Sequence, residues 1–202
     1  MITIKDLTVK NFMSVGNVTQ AVRFTDNGLT LVLGNNVDLG GDGSRNGTGK
    51  TTIINALSYA IYGNALTNIR KDNLINKTNG KGMLVTLDFV KDGTKYRIER
   101  GRRPNTLKYY VNEQNVDEDE AQGENRQTQA QIEKLFGMSH DMFKHIVALN
   151  TYTEPFLSMK ANDQRAIIEQ LLGITMLSEK AEVLKEQQRL TRDAIKEEEY
   201  RI

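Results

Sequence analysis

The stretch Asn46-Gly47-Thr48-Gly49-Lys50-Thr51-Thr52 decides the fold, because a glycine-rich loop here runs straight into a helix pattern. Upstream, residues 29–34 form a short apolar run ending in glycine, which predicts a buried strand. Downstream, residues 51–62 carry a wide apolar stripe at helical spacing, and Gly63 follows as a candidate C-terminal cap. A strand, a loop and a helix in this order predict a phosphate-binding loop.

The chemistry of such a loop requires these residue types. Glycines let backbone N–H groups turn inward around phosphate oxygens, and the helix N-terminus adds positive charge at the same point. We expect Lys50 to reach the β- and γ-phosphates and to act in catalysis, and the Thr51 hydroxyl to bind Mg²⁺. The sequence therefore predicts a site for ATP and Mg²⁺ whose loop residues are Asn46, Gly47, Thr48, Gly49, Lys50, Thr51 and Thr52.

The loop departs from the strict pattern G-x-x-x-x-G-K-[ST] at its start, where Ser44 occupies the first glycine position. Ten extra residues, 36–45, separate Gly34 from the motif, and we interpret them as an inserted flap over the nucleotide. The alternative is a glycine-rich turn that binds no ligand. Because Lys-Thr-Thr opens the helix directly after an apolar run, the pattern favours the phosphate loop.

The composition limits the classes of protein that the chain can represent. Its 202 residues, 38% hydrophobic and 26% charged, suit one soluble core with a small appendage. The net charge is only +1, so binding to nucleic acid requires local clustering of basic residues. The chain has no cysteine and no apolar run of about 18 residues. We therefore expect no disulfide, no thiolate metal site and no membrane association, and a cytoplasmic location.

Residues 83–117 predict an antiparallel meander, because three runs of alternating apolar residues are separated by turn residues. The acidic residues 113–127 predict a loop or lid after the meander. Helices are expected around residues 128–136 and 141–149.

Basic residues cluster in this meander. Seven basic and two acidic residues lie between Lys91 and Lys108, a local charge of +5 with tyrosines interleaved. Such a patch can neutralise DNA phosphates without reading the base sequence. The alternative is an exposed hairpin that is only solvated by its charges. The candidate DNA-binding residues are Lys95, Arg97, Arg100, Arg102, Arg103 and Lys108.

From Gln164 onward the pattern is helical, and Asn162 or Asp163 is the predicted N-terminal cap. After Gly173, apolar and small residues recur at spacings of three and four, which predicts the seam of a coiled coil. The alternative is a terminal helix packed on its own domain. The seam residues are Leu177, Ala181, Leu184, Gln188, Thr191 and Ile195.

Several segments together resemble the SMC-like ABC ATPases, and within them the SbcC-type DNA-repair ATPases. The resemblance rests on Asn11-Phe12-Met13-Ser14, on residues 31–34 and on residues 46–56. It covers nearly the whole chain, whereas the phosphate loop alone is shared by many NTPases. Three further segments are similar to the large subunits of tailed-phage recombination endonucleases: residues 74–79, 100–105 and 164–173.

The resemblance implies an α/β P-loop NTPase fold. Residues 1–160 would form the N-terminal lobe of an ABC-type ATPase head with an antiparallel β subdomain, and residues 161–202 would begin an antiparallel coiled coil. Family members divide the head into two lobes, of which the second holds the signature motif and the catalytic glutamate. No Leu-Ser-Gly-Gly occurs here, and no apolar run ends in Asp-Glu. The implied partners are therefore the C-terminal lobe of the same ATPase and a second copy of the head, in a homodimer.

The resemblance also implies further site residues. In the family a glutamine contacts Mg²⁺ and the attacking water, and Asn150 matches it best. Thr151 or Glu154 are alternatives for this role. The alternative interpretation of Asn150 is that it only caps a helix. Met13 stands where a basic residue often touches the nucleotide. Contacts to the base or ribose are therefore expected from Lys10 or from Asn11, Lys77 and Thr78.

The implied function is that of an ATP-binding subunit of a DNA double-strand-break repair complex. Together with its C-terminal lobe it would hydrolyse ATP and control the access of double-stranded DNA to an SbcD-type metal-dependent nuclease, docked near residues 177–202. The chain alone would bind ATP with negligible turnover. If it is phage-encoded, its location would be the host cytoplasm. The alternatives are an SMC-type DNA tether without a nuclease, a compact P-loop kinase or GTPase, and a transporter ATP subunit.

Overall fold

The computed structural model describes residues 1–24, 28–36, 47–116, 124–149 and 154–201. The chain divides into two compact units, Met1–Thr153 and Glu154–Ile202, and each is described by itself. The division of the chain into a head lobe, residues 1–160, and a coiled-coil start, residues 161–202, stays a prediction.

An antiparallel sheet of six strands forms the frame of the first unit. The strands are β1 (Ile2–Lys10), β2 (Gln20–Arg23), β3 (Met83–Lys91), β4 (Thr94–Arg102), β5 (Thr106–Val111) and β6 (Gln114–Asn115). Their order in the sheet is β2-β1-β3-β4-β5-β6. Leu87, Ile98 and Tyr109 lie opposite one another across β3, β4 and β5, and all three are buried. The predicted meander is therefore confirmed, with β1 inserted between β2 and β3.

Helix α1 (Lys50–Tyr62) packs against β1, β3, β4 and the second helix, α2 (Glu124–Phe136). Nearly all of its last two turns are buried, which explains the wide apolar stripe of the sequence. It begins one residue before the predicted start. Gly63 ends it in the left-handed region at φ 69°, with its N–H donating to the carbonyl of Tyr59, so the predicted cap is confirmed.

The prediction of a buried strand at residues 29–34 is wrong. No strand is assigned to residues 28–36, and Leu29 and Leu31 are 98% and 80% exposed. A strand requires a neighbour that completes its hydrogen-bond ladder, and among the described residues this run has none. Its apolar pattern therefore marks side chains that the first unit leaves uncovered.

The helices after the meander begin earlier than predicted and are less regular. Helix α2 starts at Glu124 rather than at residue 128. Helix α3 (His140–Met142) is capped by the Ser139 side chain, which accepts from the N–H of Met142. A π-helical turn, Phe143–Val147, continues it. A short 3₁₀ helix, Lys71–Leu74, follows α1.

The second unit consists of a 3₁₀ turn, Phe156–Ser158, helix α4 (Ala161–Leu171) and helix α5 (Thr175–Arg201). Gly173, at φ 65°, separates the two helices. The N-terminal cap of α4 is Lys160, so the prediction of Asn162 or Asp163 as the cap is wrong. Asp163 lies in the first turn instead, where its negative charge interacts favourably with the positive end of the helix dipole.

Helix α5 carries the predicted heptad seam on an exposed surface. Leu177 and Leu184 are more than half exposed, as an unpartnered coiled-coil strand would be. Pairing of α5 with another strand stays a prediction. Within the described ranges, no helix combines the length and the apolar character needed to cross a membrane.

Candidate functional site

The N-terminus of α1 is open to an anion. Gly47 and Gly49 hold φ values of 77° and 85°, a region that glycine enters without steric penalty. Gly49 is the N-cap of the helix, so no side chain caps the first N–H groups, and the first turn contains no acidic residue. The positive end of the helix dipole therefore meets neither a capping side chain nor an acidic residue of the first turn.

The side chains of the loop suit a phosphate and its cation. The Lys50 ammonium donates to the Thr48 hydroxyl at 3.3 Å, which holds the ammonium over the loop that it belongs to. Thr51 is exposed at the helix start, and Thr52 is buried with its N–H donating to the carbonyl of Gly49. The Lys50 ammonium, the hydroxyls of Thr51 and Thr52 and the helix N-terminus together fit a magnesium-bound nucleoside triphosphate.

The turn that contains residues 11–16 lies against this loop. Phe12 is fully buried, and its ring centroid is 5.6 Å from that of Tyr59 on α1. The N–H of Met13 donates to the carbonyl of Leu74 at 2.7 Å. The Ser14 hydroxyl lies 3.0 Å from the Thr52 hydroxyl. The turn, which follows β1 in the chain, therefore packs against helix α1 and contacts its first turn.

The side chain of Asn11, a predicted nucleotide contact, is 3% exposed and occupied within the protein. Its amide nitrogen donates to the carbonyls of Lys81 and Gly82, and its oxygen accepts from the Asn79 amide at 2.7 Å. Asn11 therefore fixes the turn through its side chain, and its role as a nucleotide contact stays a prediction.

The loop of residues 76–79 is brought beside the same turn. The Asn76 amide donates to the carbonyl of Met13 at 3.0 Å. Lys77 and Thr78 are exposed on this loop. The structure thus gathers the phosphate loop and the two predicted side contacts, Lys77 and Thr78, around one turn.

Two predicted site residues lie outside the described residues. Asn46, at the start of the motif, and Asn150, the candidate for catalysis and for magnesium, belong to stretches whose structure is not described. The same holds for most of the predicted flap, residues 37–45. Their roles stay predictions.

The basic stretch is divided between the two faces of the sheet. Strand residues alternate between faces, so Arg97 lies opposite Asp88 and Tyr110 on the outer face, whereas Arg100 faces α1. Lys95 shares the face of Arg97. Arg97 binds Asp88 through two nitrogens, with a shortest distance of 2.7 Å.

Arg100 is engaged inside the fold. Its guanidinium donates to the carbonyls of Ala60 and Ile61 and, at 2.5 Å, to the side-chain oxygen of Gln129. The ring of Tyr59 lies 5.9 Å below it. Burial lowers the pKa of Arg100 to about 10, so the group stays charged at neutral pH. Arg100 therefore neutralises the C-terminal end of α1.

A basic groove of about 350 Å³ adjoins this end of the helix, and its lining includes Lys71, Arg102 and Arg126. Arg102 is paired with Asp72 at 2.7 Å. Burial, with the charges of Arg100 and Arg102 beside it, lowers the pKa of Lys71.

The remaining predicted DNA contacts are accessible. Lys95, Arg103 and Lys108 are exposed, and none has an ion-pair partner among the described residues. Lys108 lies opposite Glu99 in the register of β4 and β5, and Arg103 lies in the turn between these strands. Of the six candidate DNA-binding residues, three are therefore bonded within the protein, and three are exposed without an ion-pair partner among the described residues.

Sequence reasoning missed Ser14 as a site residue. It belongs to the quoted segment Asn11-Phe12-Met13-Ser14, but its contact with Thr52 spans 38 positions of the chain. Only a prediction of which turn lies over the loop could have identified it.

Comparisons with known proteins agree with this geometry. The family model described as AAA domain matches residues 6–201. Exonuclease subunit 2 of Enterobacteria phage T4 is 36% identical over 172 residues, which cover 84% of this chain and 28% of that protein. The corresponding subunit of Escherichia phage RB69 is 33% identical and is covered to 30%. The chain therefore spans less than a third of the length of these phage relatives.

A more distant relative is the DNA double-strand break repair Rad50 ATPase of Archaeoglobus fulgidus, 34% identical over half of this chain. Among solved structures, the Smc head domain of Pyrococcus furiosus gives a TM-score of 0.58 at 19% identity, covering 94% of this chain and 46% of that one. An SMC ATPase gives a TM-score of 0.53 at 18% identity, covering 83% and 98%.

The structural neighbours confirm the predicted fold, an ABC-type head lobe of the P-loop class with an antiparallel β subdomain. The phage and archaeal relatives confirm the resemblance to SbcC-type ATPases. The chain therefore belongs to the AAA domain family, within which it is similar to phage exonuclease subunits and to Rad50 ATPases.

Proposed function

We propose that this chain is the ATP-binding half of an ATPase head in a DNA-repair nuclease complex. The observation that carries the proposal is the uncapped N-terminus of α1, with Gly49 at φ 85° and Lys50 beside it. Backbone N–H groups and the ammonium would hold the triphosphate, and Thr51 would hold Mg²⁺. Bound Mg²⁺ would supply charge stabilisation to phosphoryl transfer, and Asn150 remains the candidate that positions water.

Hydrolysis would require parts that this chain does not contain. A C-terminal lobe of the same protein would supply the signature motif, and a second copy of the head would complete each site. The exposed apolar side chains at residues 29–33 support a missing neighbour on this side of the unit. The exposed seam of α5 supports a second helix paired with it. The nuclease would dock near this helix.

Replacement of Lys50 by alanine tests the nucleotide site. Charge-assisted hydrogen bonds to two phosphates contribute enough that we expect affinity for Mg-ATP to fall by about 100-fold. Titration calorimetry with Mg-ATP on the full chain measures it. Lys134→Ala, the same substitution at an exposed lysine of α2, is the matched control and keeps wild-type affinity. Equal binding by the two variants would refute the site.

DNA binding is assigned to the accessible basic residues, Lys95, Arg103 and Lys108. Arg97, Arg100 and Arg102 are left out of this part of the proposal, because their charges are already engaged. The accessible three can meet phosphates without first losing a partner within the described part of the chain. Nonspecific electrostatic contact of this kind gives affinity without sequence preference.

The salt dependence of DNA binding tests this assignment. Replacing all three accessible residues by alanine should lower the slope of log affinity against log salt by about 2 to 3, roughly one unit per lost phosphate contact. Fluorescence anisotropy on a duplex of mixed sequence measures the slope. Arg97→Ala, a control on the same strand, should change it little. An unchanged slope in the triple variant would exclude these residues.

An SMC-type tether without a nuclease is the second candidate function, and the similarity of the fold to SMC heads supports it. The higher identity to phage exonuclease subunits, 36% against 19%, favours the nuclease complex. Co-purification of a metal-dependent nuclease with the tagged full-length protein distinguishes the two. Recovery of the ATPase without a nuclease would favour the tether.

A further inference from the structure

The turn of residues 11–16 is held in place from three sides. Asn11 and Met13 both adopt φ 50°, a left-handed conformation that costs non-glycine residues about 1 kcal/mol each. The buried amide of Asn11 and the donation of Asn76 to the carbonyl of Met13 hold the turn on the loop of residues 76–82. Phe12 anchors it against Tyr59. Such strain persists only where surrounding contacts fix the conformation.

The fixed turn places one hydroxyl at the phosphate loop. Ser14 Oγ lies 3.0 Å from Thr52 Oγ1 and 3.0 Å from the point where a Cβ on Gly49 would stand. Ser14 is exposed, whereas Thr52 is buried. The Ser14 hydroxyl therefore occupies the space beside Gly49, and Ser14 remains exposed next to the phosphate loop.

The direction of this hydrogen bond follows from the chemistry of the ligand. A phosphate oxygen only accepts, so any hydroxyl that contacts it must donate its single proton. When Thr52 donates to a phosphate, its oxygen can still accept, and Ser14 is the hydroxyl within reach. Chained hydrogen bonds polarise one another, so donation by Ser14 strengthens donation by Thr52.

We propose that Ser14 is a positioning residue of the nucleotide site, which donates to Thr52 and thereby turns the Thr52 hydroxyl toward a phosphate oxygen. The inference rests on the proposed nucleotide function and adds a residue to that site. It assigns to Ser14 an effect on the phosphates, not on the base or the ribose.

Affinities for two ligands test the proposal on the full chain. Ser14→Ala removes one neutral hydrogen bond, so affinity for Mg-ATP should fall by roughly 3- to 10-fold. Affinity for magnesium tripolyphosphate, which has no base or ribose, should fall by the same factor. Ser14→Thr keeps the hydroxyl and should restore both affinities. Ser158→Ala, at an exposed serine of the second unit, is the matched control and should change neither.

A double-mutant cycle separates positioning from general damage. Thr52→Val keeps the shape of the side chain and removes its hydroxyl, so in that background Ser14→Ala should have no further effect. The denaturant midpoint of Ser14→Ala should match the wild type, because Ser14 is exposed. These two results together distinguish a hydrogen-bond relay from a local loss of folding.

Three results would overturn the inference while the nucleotide site stands: unchanged affinities in Ser14→Ala, a fall for ATP but not for tripolyphosphate, or independent effects of the two substitutions. If the wild-type chain binds neither ligand, the nucleotide function itself fails and Ser14 loses its role with it. The wild-type titration therefore separates the two failures.

Discussion

The two ends of helix α1 differ in whether side chains and caps of the protein satisfy their backbone groups. At its C-terminus, Gly63 caps the backbone and Arg100 donates to the carbonyls of Ala60 and Ile61. At its N-terminus no side chain caps the N–H groups, and the first turn has no acidic residue. Every helix carries, at each end, backbone groups without a partner inside the helix and a partial charge. The protein satisfies the C-terminal end itself, and the proposed nucleotide site lies at the N-terminal end.

Replacement of Arg100 by alanine should have the largest effect on folding. It leaves two helix carbonyls without a charged donor, and we expect the free energy of unfolding to fall by about 2–4 kcal/mol. Urea denaturation monitored by circular dichroism measures it. Mg-ATP affinity of the folded protein should stay within about twofold of wild type. A loss of ATP affinity with unchanged stability would contradict the division between the two ends.

Replacement of Gly49 by alanine should act on the open end. Alanine at φ 85° is strained by about 1–2 kcal/mol, so Mg-ATP affinity should fall at least about 5-fold. Its Cβ would also approach the Ser14 hydroxyl at 3.0 Å. Gly47→Ala is the matched control, because φ is 77° there but nothing lies within 4 Å of the added Cβ. Titration calorimetry should rank Gly49→Ala as the weaker binder, and the opposite ranking would contradict this account.

At the closed end, Gly63→Ala should destabilise more than the same substitution after α2. Gly63 and Gly137 have nearly equal φ values, 69° and 66°. A Cβ on Gly63 would lie 2.9 Å from Arg100 Nη1, whereas one on Gly137 meets nothing within 4 Å. We expect the Gly63 variant to lose about 1 kcal/mol more in urea denaturation. Equal losses would mean that the guanidinium moves aside freely.

The smallest expected effect is a pH dependence at His140, whose Nε2 lies 2.9 Å from the hydroxyl of Ser58 on α1. Burial, helped by the charge of Lys144, lowers the pKa of His140 below its ordinary value of 6.5. The folded state therefore prefers the neutral ring. The contribution of His140 to the free energy of unfolding is fully present above about pH 7 and is lost as the pH drops below 6.5. With solvent screening, we expect a loss under about 1 kcal/mol.

Urea denaturation between pH 5 and pH 8 measures this slope. His140→Asn cannot titrate in this range and should flatten the slope. A wild-type slope retained in His140→Asn would assign the pH dependence to another group.

Local signals predicted the helix and the meander well. Lys-Thr-Thr after glycines fixed the start of α1 to within one residue, and Gly63 fixed its end, because caps act within one turn. Period-two alternation predicted β3, β4 and β5. The same alternation also separates Arg97 from Arg100, so the split of the basic stretch follows from the sequence once the strand is assigned.

Contacts between distant parts of the chain could not be predicted. The apolar run at residues 29–34 has the pattern of a buried strand, but pattern alone does not supply a neighbour. The amide of Asn11 bonds to groups 68 to 71 positions away, and nothing local distinguishes it from a side chain that meets a ligand. Contacts between side chains far apart in the sequence therefore had to come from the structure.

The exposed apolar side chains of residues 29–33 have a practical consequence for handling the chain. Leu29, Leu31 and Leu33 are each more than 60% exposed in a segment whose backbone joins no sheet. Apolar residues with free backbone groups tend to pair with copies of themselves. Solutions of this chain by itself should thus lose protein to aggregation as concentration rises. Exchanging Leu31 for lysine, where it disturbs no packing in the first unit, should keep more of it dissolved.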